Sequence, residues 1–269
     1  MLALTLSAPI KPGAVHRLIV DEDFERRLYE AIEVMPLVDE AFRRAGLVAE
    51  GRLSSRELGL GNIIGKALRS AFDASGELPL VGLWAAGLVT AAIDGYAENA
   101  NVRLPEGLKT IATRLLYGSS QSDVEALVEA LSDVGDSEVL QSVEAEGLSL
   151  SSISMRTQSL GDLFEVIQRV DRGFMMNAKG IDQVIALSKL FSGARSPVAG
   201  VVKVYLRLAA DLKGGGELDV LARSSELDPT SLLKLDRALS RERPTLNRLL
   251  GGVFLAAYVG ASSRAATGS

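Results

Sequence analysis

The only histidine among 269 residues, His16, stands in the stretch Pro9-Ile10-Lys11-Pro12-Gly13-Ala14-Val15-His16-Arg17. Pro9 and Pro12 hold the residues before them extended, and Gly13 allows a sharp turn. Lys11, His16 and Arg17 therefore project from a stiff scaffold. Such an arrangement suits phosphate groups, for which arginine offers a planar fork of donors and lysine a compact charge. A structural turn with solvated basic residues satisfies the same spacing, and the two readings stand level. Asp21-Glu22-Asp23 follows. Asp21 and Asp23 supply hard oxygen ligands of the kind that hold Mg²⁺ against phosphates. The structural alternative is an acidic first turn that complements the dipole of a helix starting near Phe24.

Three further places carry chemistry. Gly59-Leu60-Gly61-Asn62-Ile63-Ile64-Gly65 imitates a dinucleotide-binding glycine pattern, but no strand precedes it, so that assignment is rejected. Backbone N–H groups at the start of a helix there would still favour an anion, with Asn62 and Lys66 facing it. Close helix packing explains the glycines equally. Asp171 stands between Arg169 and Arg172, and its plain reading is a surface ion pair. Met175 and Met176 beyond it suit a core better than a ligand site.

The elements that must position these residues read as helices. Pro79, Pro105, Pro197, Pro229 and Pro244 stand where helices would begin, with Ser196 and Asp228 as N-caps. Ser54 to Glu57 and Ser122 to Glu125 have capping-box spacing. Val124, Leu127, Val128 and Leu131, and later Leu232, Leu233, Leu235 and Leu239, recur at helical spacing. No sustained alternation of period two occurs. The expectation is an all-α protein, a single compact domain of about ten helices spanning 1–269. Gly214-Gly215-Gly216 marks a loop after a helix end. The Ser-, Glu- and Gly-rich stretch 132–159 is the least regular, suited to a lid, a linker or short surface helices. The most apolar stretches, 78–93 and 249–261, fall short of the 18 to 20 apolar residues a spanning helix needs, roughly, and read as central buried helices.

Composition narrows the chemistry. The chain is 47% hydrophobic with a formal net charge of −5, which gives no basic footprint for nucleic acid. With no cysteine and one histidine, disulfides, thiolate catalysis and the usual zinc sites are excluded. A metal here would be a hard ion on oxygen. The opening residues lack a basic start and a long apolar run, so no signal peptide is expected and the protein reads as cytoplasmic. A homodimer is left open.

Taken together, these residues resemble the triphosphoribosyl-dephospho-CoA synthase family, which makes the prosthetic-group precursor of citrate lyase and malonate decarboxylase. The resemblance rests on the signature Ser7-Ala8-Pro9-Ile10-Lys11-Pro12-Gly13-Ala14-Val15-His16-Arg17, within 7–24. An acidic-Phe pair similar to Asp23-Phe24 and a long helix interrupted by proline, here Pro36, follow it in the family. Gly61 to Gly65, Arg169 to Asp171, and Asp219 to Arg223 take the places of later family motifs. The resemblance implies transfer of the triphosphoribosyl part of ATP to dephospho-CoA or a related acceptor, with release of adenine. It implies Lys11, Gly13, Arg17 and Arg223 on phosphate or nucleotide, Mg²⁺ carried with ATP by Asp21 or Asp23, Asp171 as base or second metal ligand, and His16 on phosphate or as proton donor. The alternative is a divergent protein that binds a nucleotide or CoA-like ligand without transfer, or a helical interaction module, since most polar side chains of the central motif are missing at 61–65.

Overall fold

A computed structural model of the chain describes residues 5–6, 10–16, 22–147, 158–224 and 226–267. Every regular element among them is helical: α1 (Glu22–Ala49), α2 (Leu60–Ser75), α3 (Val81–Asn99), α4 (Leu108–Tyr117), α5 (Gln121–Asp133), α6 (Ser137–Ala145), α7 (Leu160–Ile167), α8 (Ile181–Ser192), α9 (Pro197–Lys213), α10 (Glu217–Arg223), α11 (Pro229–Leu239), α12 (Arg243–Asn247) and α13 (Leu250–Thr267), with 3₁₀ turns at Arg172–Phe174 and Ser240–Glu242. The all-α expectation holds. The helices outnumber the expected ten because short pieces such as α10 and α12 stand apart from their neighbours.

Helix α3 is the axis of the molecule. All but three of its 19 residues are buried, because it is apolar around its whole circumference and every face needs a partner. Helix α1 crosses it on one side and α13 on another, while α2 packs against α1 and α5. The first ten residues of α13, 250–259, are buried throughout, so both apolar stretches are central helices as expected. Among the described residues, no helix is long and apolar enough to cross a membrane. One continuous hydrophobic cluster runs from Leu6 to Val259.

The local signals meet mixed fates. Ser196 and Asp228 cap α9 and α11, each followed by its first-turn proline, and Gly214 ends α9 at φ 79°. Pro79 and Pro105 instead precede their helices by two or three residues. The capping box of α5 is Ser120 with Asp123, two residues earlier than expected. Ser54 and Glu57 do pair, with Ser54 N and Oγ each donating at 2.8 Å, but they close a turn and no helix begins there. Within 132–159, α6 forms and buries Val139 and Val143, while 148–157 lie outside the described residues. The long helix with a proline in its middle is present, with Pro36 inside α1. Pro36 lies on the exposed face, where water can satisfy the carbonyl of Ile32 whose donor it removes.

Candidate functional site

The opening loop is internal. Lys11 is fully buried and His16 is 1% exposed. Ala14 N donates to Lys11 O at 2.9 Å, closing a turn with Pro12 and Gly13 at its centre, where Gly13 takes φ +79°. Three later elements hold this turn. Gly13 N donates to Asp236 Oδ1 at 2.8 Å and Val15 N to Asn247 Oδ1 at 2.9 Å, while the Tyr205 hydroxyl donates to Pro12 O. His16 Nε2 lies 3.3 Å from Asp236 Oδ1. Burial by itself would raise the Asp236 carboxyl, but His16 and the Gly13 N–H hold it below its ordinary range. The expected cluster of cations open to a ligand is therefore corrected for Lys11 and His16: the apolar Leu6, Ile10, Ala14 and Val15 drag the turn into the core. Arg17 and Asp21 lie outside the described residues, and Asp23 sits in α1 with its side chain also outside them.

A methyl group added at Gly13 would meet Leu246 Cδ1 at 2.5 Å and Leu239 Cβ at 2.7 Å. Gly13→Ala thus combines an unfavourable backbone conformation with overpacking and should cost about 2–3 kcal/mol, measured by urea unfolding. A loss under about 0.5 kcal/mol would show that the turn does not pack as described.

The glycine string also has an internal answer. Gly61 N donates to Asp123 Oδ1 at 2.8 Å and Asn62 N to the same oxygen at 3.4 Å. The anion expected at the start of α2 is therefore the protein's own buried Asp123. A Cβ at Gly61 would stand 2.0 Å from the carbonyl oxygen of Asp123, so the glycine serves close packing of α2 on α5. Asn62 and Lys66 are exposed outside that contact.

Asp171 is the expected residue that reaches a cleft. It is 2% exposed rather than a surface ion pair. Its Oδ1 accepts from Gly173 N at 2.9 Å and its Oδ2 from Gly82 N at 3.1 Å. Three glycines make this approach possible. A Cβ on Gly82 would fall 1.7 Å from Asp171 Oδ1, one on Gly173 would strike the Gly82 backbone at 2.0 Å, and one on Gly251 would strike Gly173 Cα at 2.4 Å. The N-terminal end of α3, the Arg172–Phe174 turn and the start of α13 thus meet backbone to backbone. Burial pushes the Asp171 carboxyl up to about 7, against the pull of the Gly173 N–H and the Arg248 guanidinium.

Around Asp171 lies a cleft of about 220 Å³ between α1, the entry to α3 and α12, lined by Arg27, Glu77, Asp171, Arg243, Asn247 and Arg248 among others. Its cations are held from behind. Arg27 pairs with the fully buried Glu30 and donates to Leu78 O at 3.1 Å. Glu30 also accepts from Trp84 Nε1 at 2.7 Å. Burial raises the Glu30 carboxyl, and Arg27 opposes that. Arg248 grips the buried Asp136 in bidentate fashion at 2.7 and 3.0 Å and Glu138 through Nε at 3.0 Å, with Asp171 Oδ2 3.8 Å away. Asn247, bonded to the opening loop, ties that loop to the wall of the cleft. The turn that buries Lys11 and His16 thereby braces α11 and α12, and neither side chain lines the cleft.

Arg223 lies elsewhere, paired with Asp219 at 2.8 Å on the rim of a separate cleft between α8, α9 and α10. Asp94 accepts from the Tyr258 hydroxyl at 2.5 Å, tying α3 to α13. Among the described residues, no group of three histidine, aspartate or glutamate side chains is placed to hold a metal ion.

The residues missed by sequence reasoning are Arg27, Glu30, Arg243, Asn247 and Arg248. A signal for the first two existed. Arg27 and Glu30 share the phase of Val34, Ala41, Ala45 and Val48 along α1, so they are charges on a core-facing stripe. No family model, curated protein or solved structure matches this chain.

Proposed function

We propose that the cleft at the N-terminal end of α3 binds the phosphate portion of a nucleotide or CoA-like molecule, and that the protein is a transferase of the triphosphoribosyl-dephospho-CoA synthase type. The observation that carries this reading is the convergence of Arg27, Arg243 and Arg248 with the buried Asp171 on one cleft. Arginine forks suit phosphate oxygens, and a carboxyl titrating near neutrality suits a base that takes a proton from an acceptor hydroxyl. In the transfer, the acceptor oxygen bonds to the anomeric carbon of the ATP ribose, and the bond to adenine breaks with its electron pair going to the adenine nitrogen. Asp171 accepts the hydroxyl proton, and the departing adenine takes up a proton from solvent. A Mg²⁺ ion arriving with ATP would neutralise phosphate charge. The described lining offers it only Glu77 and Asp171, which are too few for a resident site, so its shell would be completed by phosphate oxygens and water.

On the same reading, the described part of the signature, 10–16, acts from behind the site as the brace that holds Arg243 and Asn247 in position. A second reading, binding without transfer, draws on a specific observation: both Asp171 oxygens already accept backbone N–H groups, which weakens them as proton acceptors.

Calorimetric titration with ATP, CoA and dephospho-CoA tests binding, and release of free adenine from Mg²⁺-ATP with dephospho-CoA tests transfer. Arg243→Ala should weaken the bound ligand by about 1.5–3 kcal/mol, the worth of a charge-assisted hydrogen bond. If Asp171 is the base, turnover should rise as pH climbs through about 7, because the ionised carboxylate is the active form. Binding without adenine release selects the second reading. No binding of any of the three, or unchanged affinity in Arg243→Ala, removes both.

A further inference from the structure

Helix α1 has a second face that the other described residues leave exposed. Leu28 is 44% exposed, Tyr29 56%, Ile32 64% and Met35 55%, so four large apolar side chains stand in water within little more than two turns. They lie opposite the buried stripe of Arg27, Glu30, Val34, Ala41 and Ala45. Through the patch runs a row of six exposed residues, Glu25, Tyr29, Ile32, Pro36, Asp39 and Arg43, spaced alternately by four and three. That is the spacing by which two helices mesh along a seam.

We propose that this face is the contact between two copies of the chain, with α1 packed antiparallel on α1 about a twofold axis near Val34. The row is symmetric about that position. In the antiparallel pairing Ile32 of one copy meets Pro36 of the other, Tyr29 meets Asp39, and Glu25 meets Arg43 at both ends. Each pair is apolar with apolar, hydroxyl donor with carboxylate, or anion with cation. A parallel pairing would set Glu25 against Glu25 and Arg43 against Arg43, so the charges select the antiparallel arrangement. Neither Glu25 nor Arg43 has an ion-pair partner within its own copy among the described residues. The carboxylates of Glu25, Glu33 and Asp39 beside the patch disfavour an anionic membrane as its occupant. The seam from 25 to 43 spans roughly 27 Å at 1.5 Å per residue. One helix face per copy buries less than the roughly 800 Å² per partner of a standard interface, so the contact is of the small, transient kind.

Sedimentation of the full chain from about 1 to 200 µM, a range suited to a transient interface, tests this. The wild type should pass from monomer to dimer across that range, and Ile32→Glu should stay monomeric. Glu25→Arg or Arg43→Glu alone should each raise the dissociation constant about tenfold or more, and the double reversal Glu25→Arg with Arg43→Glu should restore it. The surface charge reversals keep the test sound if Ile32→Glu does not fold. A wild type monomeric at 200 µM overturns the proposal. So does a double reversal that folds with an unchanged thermal melt yet fails to recover the dimer. Flotation of the wild type with phosphatidylcholine/phosphatidylserine vesicles, lost in Ile32→Glu and without any dimer in solution, would assign the face to a membrane. The cleft plays no part in these measurements, so they stand or fall apart from ligand binding.

Discussion

Replacing Arg248 with alanine should cost about 3–5 kcal/mol of folding stability, the range for breaking a buried ion pair by removing one partner. Arg248 is 9% exposed and its bidentate partner Asp136 is fully buried, with Asp171 close behind. Without the guanidinium, two carboxylates remain inside the protein with no cation. The deficit should be smaller at pH 5.5 than at pH 8, because Asp171, lifted to about 7 by burial even with Arg248 beside it, is protonated in both chains at the lower pH and needs no cation there. A paired Asp136→Asn, Arg248→Met variant should recover part of the loss, since it leaves no unmatched charge of that pair. Urea unfolding of the three chains at pH 5.5 and 8 measures this. A loss under 1 kcal/mol at pH 8 would mean that the Asp136 site admits water freely.

Lys11→Met should change how stability depends on pH more than any surface substitution. Burial lowers the Lys11 amine from 10.5 to about 7 in the folded chain. Above about pH 10.5 the amine is neutral in both states and burying it carries no charge penalty. As pH falls from there toward 7, the unfolded chain takes up a proton that the folded chain refuses, and stability is lost. Below about 7 the folded amine is protonated too, and the loss ends. Relative to Lys11→Met, whose thioether has no charge to desolvate, the wild type should lose on the order of 4 kcal/mol between pH 10.5 and 7. Tyrosines that titrate near the top of this window are common to both chains and cancel. Denaturant melts at pH 7, 8.5 and 10 provide the comparison, and parallel stability curves for the two proteins would show that Lys11 is not desolvated.

These two variants bracket the relation between the opening signature and the cleft. Lys11 and His16 sit in a turn that binds α11 through Asp236 and α12 through Asn247. Arg243 and Arg248 border the same cleft as Asn247. If the cleft binds the proposed ligand, a change that loosens the turn should therefore alter that binding through the position of α12.

The chain's helical character was legible because its signals are local. Asp228 and Ser196 bond to N–H groups two or three residues away, Gly214 accepts a positive φ on its own account, and the apolar runs 78–93 and 249–261 outlast any single turn. Where the signal needed exact register, as at Ser120 rather than Ser122, or a choice between turn and helix, as at Ser54, neighbouring elements decided. The interior charges were not legible. Whether Lys11 meets solvent or core depends on α9, α11 and α12, which return to it more than 190 residues later. The N–H groups of Gly61 await an anion in either reading, and only the packing of α2 on α5 shows that Asp123 supplies it. Asp171 looks like one more surface acid until Gly82, Gly173 and Gly251 bring three backbones together around it. Caps, turns and periodicity arise within a turn or two of chain and can be read from neighbours in sequence. Desolvation of a charge, and hence which groups share a cleft, is set by contacts between distant segments, which only the tertiary structure decides.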